Sequence, residues 1–182
     1  GGLRAVLVAS FVPVKCHSVL LRAIKIALDM GVAIELTLIG DGPLRKPMEM
    51  LCRDLAIGRR VRFLGHISDR ERLFSLLDNS DVFVMPSRSE GMPRAMVEAM
   101  ARGLPCVGSS VGGISEILPS EQRFPPGDAP ALARLLERLY RNNSALDKYA
   151  IHSENMAKSF LEDILSKKRI DLYNKLKSMC CE

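Results

Sequence analysis

The sequence contains no tryptophan, and only three tyrosines and six phenylalanines among 182 residues. Binding of single-stranded nucleic acid relies on aromatic stacking beside basic grooves, and no basic block here is interleaved with aromatics. No nucleic-acid partner is therefore expected. Long apolar runs are missing too: nothing approaches the roughly 18 uninterrupted residues of a membrane-spanning helix. Five cysteines (Cys16, Cys52, Cys106, Cys180 and Cys181) make an odd, scattered set without a C-x-x-C pair. That excludes a disulfide framework or zinc knuckle and points to a reducing, cytosolic compartment. His17, His66 and His152 lie too far apart to suggest metal-ligand spacing. No G-x-G-x-x-G follows the first apolar run and no G-x-x-x-x-G-K-[ST] occurs, which disfavours ordinary dinucleotide and P-loop readings. The opening Gly1-Gly2-Leu3-Arg4 has neither an initiator Met nor a signal-peptide pattern, so a start inside a longer gene product is expected.

What remains is ordinary globular composition, 47% hydrophobic and 26% charged, with a formal charge of +5. The charge fits a mildly basic solvated surface or a phosphate-bearing small-molecule ligand. Short apolar runs at 5–11, 34–39, 61–64, 82–85, 106–109 and near Arg123 alternate with stretches of helical periodicity. These helices fall at 18–30, after the 40–43 turn, after a cap at Ser68 or Asp69, from Pro93 to about 102, at 114–117, and after Asp128. Two more are expected from Ser144 and over about 160–179. Strands separated by helices imply right-handed βαβ crossovers. The expected fold is α/β: a doubly wound, Rossmann-like, mostly parallel sheet of about six strands with C-terminal helices. Residues 1–155 form the ligand-binding domain, and 156–182 form a C-terminal helix of the same domain. Ligands of such sheets bind beyond the carboxyl ends of the strands at the topological switch point. That directs attention to the loops at 10–17, 40–43, 65–69, 86–94 and 109–113.

Those loops place Gly and Pro beside helix starts, where free amides and the helix dipole favour phosphate. Lys15 is positioned either to neutralise a phosphate or to sit in solvent. The most informative stretch runs from Ser89 to Met100, SEGMPRAMVEAM. Glu90 precedes the helix and Glu98 lies inside it, about 7 to 8 Å along the axis at 1.5 Å per residue. A diphosphate on the intervening amides would send one polyhydroxyl group toward Glu90 and another toward Glu98, each carboxylate accepting hydroxyl hydrogen bonds. Sugar, phosphate, phosphate and ribose in that order describe a nucleotide sugar. The plainer alternative makes Glu90 a cap-region charge and Glu98 a solvated helix residue.

The segments VRFLGHIS (61–68), SDVFVMPSRSEGMPRAMVEAMARGLPCVGSSVGG (80–113) and ISEIL (114–118) resemble the C-terminal, donor-binding half of retaining GT-B glycosyltransferases, glycosyltransferase family 4 or group 1. LIGDGPL (38–44), FVPVKC (11–16) and FPPGD (124–128) match more weakly, and the likeness covers roughly residues 5–140. The E-x7-E spacing is its most specific part. The resemblance implies transfer of a sugar from a nucleoside-diphosphate sugar to an acceptor with retention of anomeric configuration, without a required metal or other cofactor. The absence of an Asp-x-Asp clamp agrees with that. By the same resemblance Glu90 faces donor-sugar hydroxyls in a positioning role, not as a nucleophile, and Glu98 holds the ribose. Backbone amides around Met92 to Ala95 bind phosphate, Gly91 and Pro93 (which has no N–H of its own) belong to the same nucleotide-sugar-binding segment, and the Arg94 side chain reaches a phosphate or the sugar, or else solvent. Lys15 matches the family's basic pair, but Ser10 stands where Arg is usual and Cys16 where Gly is usual. Ile67, Asp69 and Arg72 map to the segment that holds the base. Cys16, beside a cation and helix amides, is expected to be a reactive thiol protected by ligand.

The family's acceptor half, which would hold a glycan, lipid or small molecule, does not fit within 182 residues. The chain is therefore expected to be inactive alone, with Phe160, Ile164, Tyr173 and Leu176 lacking their usual cover. A cytoplasmic location is expected, with peripheral association at the inner membrane face compatible with it. The alternatives are a GT-B nucleotide-sugar epimerase, which would turn over without acceptor, and a non-catalytic nucleotide-sugar-binding module.

Overall fold

The computed structural model describes residues 2–161. Six strands, β1 (Leu3–Val8), β2 (Ile34–Ile39), β3 (Val61–Gly65), β4 (Val82–Met85), β5 (Cys106–Ser109) and β6 (Arg123–Phe124), form one sheet in the order β3-β2-β1-β4-β5-β6. Every pairing is parallel. The apolar runs read from the sequence are strands because both faces are covered and neither side of the pleat needs polar residues. Leu3, Ala5 and Leu7 of β1, with Val82 and Val84 of β4, point to one layer. Val6 of β1, with Phe83 and Met85 of β4, points to the other.

The first layer packs on α1 (His17–Asp29), α2 (Arg45–Asp54) and α6 (Ala129–Arg141), which contribute Leu20, Ile24, Cys52, Leu132 and Leu136. The second packs on α3 (Arg70–Asp78), α4 (Arg94–Ala101), α5 (Gly112–Ile117) and part of α7 (Asn143–Leu161), through Leu77, Met96, Met100, Ile114 and Ala157. Caps fall where short polar side chains can take free amides. Asp69 accepts from Glu71 N and Arg72 N at the start of α3, and Asp128 accepts from Ala131 N at 2.8 Å in α6.

Three expectations need adjustment. Pro93 precedes α4 as its N-cap instead of being its first helical residue. The helix beginning near Ser144 runs unbroken as α7 from Asn143 to Leu161, with no new start at residue 160. Phe160 is partly buried against the second layer, so it does not lack cover. The rest of the expected terminal helix, with Ile164, Tyr173 and Leu176, lies outside the described residues.

The chain winds outward from β1 to β3, then returns to pair β4 against the other edge of β1. The switch point therefore lies between the carboxyl ends of β1 and β4, where crevices form in doubly wound sheets.

Candidate functional site

Beyond β1 the chain continues through Ala9 and Ser10 into a 3-10 turn at Pro13–Lys15, then enters α1. Cys16, at the join, has φ 50° and is buried. A left-handed conformation costs a residue with a Cβ roughly 1 to 2 kcal/mol, and this is the position where glycine is usual in the resembling family. The Arg88 amide donates to Val14 O at 2.8 Å and ties the turn to the loop after β4. Lys15 is thereby set opposite Glu90, and its Nζ donates to Glu90 Oε1 at 2.6 Å.

Glu90 is held through one carboxylate oxygen and through its backbone carbonyl. Its side chain is only 8% exposed, and the same Oε1 accepts the Ser87 hydroxyl at 2.6 Å. Ser87 is fully buried, with its own carbonyl accepting the Ser109 hydroxyl across the β4–β5 pair. The Glu90 backbone carbonyl takes the Gly113 amide at 3.0 Å. That approach needs glycine: a Cβ on Gly113 would lie 1.8 Å from Gly91 O, and one on Gly112 would lie 2.1 Å from Glu90 O.

α4 starts immediately after this loop. The Arg94 amide turns back to Met92 O, and the Met96 and Val97 amides share Pro93 O. The Ala95 amide meets no acceptor among the described residues. With the dipole behind it, this donor can receive an anion. Lys15, Glu90, Met92, Pro93, Arg94, Ala95 and Glu98 line one cleft with Val8, Ala9, Ser10 and Met85, of about 490 Å³. Glu98 is exposed on α4. The cleft thus contains two carboxylates, two cations, a hydroxyl and a helix N-terminus, at the switch point.

A second cleft of about 380 Å³ shares Val8, Ala9 and Ser10 and is completed by Ile39, Gly40, Asp41, His66, Ile67 and Leu73. Asp41 is partly occupied: its carboxylate accepts the Gly42 amide at 2.7 Å and Arg45 Nη1 at 3.2 Å. The Gly42 amide leads in holding the Asp41 carboxyl below the ordinary carboxylate range.

Most of the residues proposed from the sequence converge here, but not all. Ser10, Lys15, Glu90, Met92, Pro93, Arg94, Ala95 and Glu98 share the first cleft, and Ile67 lines the second. Gly91 lines neither; its carbonyl faces Gly113. Asp69 lines neither, because its carboxylate caps α3, and Arg72 lies on that helix outside both clefts. Cys16 is corrected as well: it is buried, and its thiol is directed to Pro13 O and Val14 O instead of the cleft. Sequence reading missed Ser87, whose bonds are set by tertiary contact, and His66 and Leu73, which flank Ile67. Their position in the 65–69 loop and the next helix was the available signal.

Next to the 13–15 turn lies an unusual histidine. His17 opens α1, is 3% exposed, and stacks on Phe11 with ring centroids 4.1 Å apart. Its Nδ1 has no hydrogen-bond partner. Burial, reinforced by the charge on Lys15, pushes its pKa down to about 4.

The sequence model of the family described as Glycosyl transferases group 1 matches residues 3–158. Protein CapJ of Staphylococcus aureus is 33% identical over 171 residues, covering 91% of this chain and 42% of CapJ. The amylovoran biosynthesis glycosyltransferase AmsK of Erwinia amylovora is 36% identical over 146 residues, covering 75% of this chain and 36% of AmsK. The chain thus spans less than half the length of these relatives. Among solved structures, HepE of Anabaena in complex with UDP superimposes with a TM-score of 0.82 at 22% identity, covering 97% of this chain and 49% of HepE. The catalytic domain of the cholesterol-α-glucosyltransferase of Helicobacter pylori gives 0.76 at 22% identity, covering 88% and 98%. At such identity these likenesses establish the fold.

Proposed function

The chain belongs to the glycosyl transferases group 1 family, and from that premise we propose that it is the donor-binding half of a GT-B glycosyltransferase. Its reaction moves a sugar from a nucleoside diphosphate to an acceptor with retention at the anomeric carbon. The observation that carries this reading is the convergence of Lys15, the free Ala95 amide, Glu90 and Glu98 on one cleft at the switch point. The fold-neighbour HepE was solved with UDP, which is consistent with a nucleotide donor.

The diphosphate lies across the start of α4, where the Ala95 amide, Arg94 and Lys15 oppose the charge that grows as the sugar departs. Preorganised donors of this kind lower the barrier because they need no reorganisation at the moment of reaction. They supply the charge neutralisation assigned elsewhere to a metal ion, so no metal or cofactor is proposed. Glu90 positions the sugar through its hydroxyls, and Glu98 takes the ribose hydroxyls. The base enters the second cleft against Ile67, His66 and Leu73.

The acceptor, a glycan, lipid or small molecule, is held by a partner half drawn from the remaining length seen in the relatives. Without it, nothing aligns an acceptor with the anomeric carbon, so this chain binds donor and transfers nothing by itself. No helix among the described residues is long and apolar enough to cross a membrane, and we place the protein in the cytoplasm, compatible with work at the inner membrane face.

Calorimetric titration of the chain with UDP, GDP, ADP and UDP-glucose tests this. Saturable binding of at least one nucleotide, weakened in Lys15→Met, is expected. No binding of any of them at millimolar concentration would overturn the reading.

A further inference from the structure

Glu90 and Lys15 are each assigned a ligand partner, the sugar and the diphosphate, yet with the cleft open they hold each other. The contact is short, 2.6 Å between Lys15 Nζ and Glu90 Oε1, with 24% and 8% side-chain exposure on the two sides. Water screens such a pair only partly, unlike an exposed surface pair. A diphosphate that takes Lys15 must therefore pull it from a carboxylate already bonded to it, and must approach that carboxylate's negative charge. Seen from the phosphate, Glu90 is a competitor.

Glu90 can lose Lys15 without losing its place. Ser87 Oγ donates to the same Oε1 at 2.6 Å, from a fully buried side chain whose carbonyl is itself fixed by Ser109. The Gly113 amide holds the Glu90 backbone. When Nζ turns to a phosphate, the carboxylate keeps its orientation and has one accepting position newly vacant, open to a sugar hydroxyl.

We propose that the Lys15–Glu90 pair is a displaceable latch that discriminates the intact nucleotide sugar from the spent nucleoside diphosphate, with Ser87 as the positioning residue that keeps Glu90 aligned while the latch is open. This rests on the donor-binding reading above. A nucleotide sugar compensates Glu90 for the lost lysine, because its hydroxyl replaces the Nζ donor. A bare diphosphate offers Glu90 nothing and leaves a largely buried carboxylate one donor short. Once the sugar has been transferred, Glu90 recaptures Lys15 and favours release of the product.

The latch makes a prediction of opposite sign for the two ligands. Glu90→Gln removes the competing charge while leaving the residue's size nearly unchanged. By titration calorimetry it should bind UDP about tenfold more tightly than the parent, in keeping with the loss of one charge-assisted bond, and bind UDP-glucose more weakly. In a Lys15→Met background the same Glu90→Gln change should raise UDP affinity less, because no lysine remains to be freed and only the repulsion between carboxylate and phosphate is relieved. Ser87→Ala should weaken UDP-glucose with little effect on UDP, and Ser87→Thr, which retains the hydroxyl, should restore it. Circular dichroism checks that each variant is folded. If Glu90→Gln weakens UDP or leaves it unchanged while Lys15→Met weakens it, the latch is refuted and the nucleotide site survives. If UDP-glucose, UDP, GDP and ADP all fail to bind the parent, the donor-binding reading fails and the latch with it.

Discussion

Acidification should destabilise this domain through one imidazole. His17 is buried against Phe11 at the first position of α1, with an orphaned Nδ1 and Lys15 two residues away. Burial and then the lysine charge lower its pKa to about 4, against 6.5 for an ordinary histidine. The positive end of the helix dipole acts in the same direction. As pH falls below 6.5 the unfolded chain takes up the proton first, so this contribution to stability is complete above 6.5 and is lost as pH falls toward 4. At about 1.4 kcal/mol per pH unit, the loss by pH 4 is about 3 kcal/mol, a large share of a typical domain's stability. Carboxylates titrate in the same range, so the measurement must isolate the ring. Urea unfolding of the parent and of His17→Phe, which keeps an aromatic ring on Phe11, does so by difference. Any packing offset in the variant is independent of pH, whereas the stability gap should move by about 3 kcal/mol in the variant's favour between pH 7 and pH 4. A gap that stayed constant would show that the folded protein protonates His17 freely, and the buried, unpartnered imidazole would be wrong.

Other outcomes follow from the site. Glu98→Ala should weaken UDP binding about tenfold, since it removes a charge-assisted acceptor for the ribose, and calorimetry giving the parent's affinity would return Glu98 to a surface charge. Cys16 should be alkylated slowly by iodoacetamide in the folded chain and rapidly in urea, followed peptide by peptide with mass spectrometry; fast labelling under native conditions would contradict its burial. Gly113→Ala should cost about 2 kcal/mol or more and loosen Glu90, because its methyl would lie 1.8 Å from Gly91 O. Gly58→Ala, where an added Cβ meets nothing within 4 Å, should be neutral, and thermal melts of the two variants check both.

The sheet was legible because its strands are buried on both faces, so a run such as residues 82–85 carries no polar interruption. Alternation with helices then implied parallel order and a switch point, and the two glutamates eight residues apart indicated which loop mattered. What escaped was decided by contacts distant in sequence. Cys16 next to Lys15 looked accessible, but the docking of the 88–90 loop on the turn at 13–15 is not written in either segment. Asp69 suited two roles on sequence grounds, and the cap prevailed because the α3 amides lie within reach of its carboxylate. Ser87 gave no sign at all, since its significance depends on a carboxylate three residues ahead folding back and on Ser109 from the neighbouring strand.

The end of β1 divides the two clefts, with Val8, Ala9 and Ser10 forming a wall common to both. If base and sugar are read on opposite sides of that wall, the two choices become separable in evolution. Exchanges at His66, Ile67 or Leu73 can alter which nucleotide is accepted while the Lys15–Glu90–Ser87 arrangement stays untouched. Changes in the lining of the first cleft around Glu90 can alter which sugar is carried without disturbing the base. A scaffold partitioned in this way can diversify its donors one half at a time, each intermediate retaining half of an already working recognition surface.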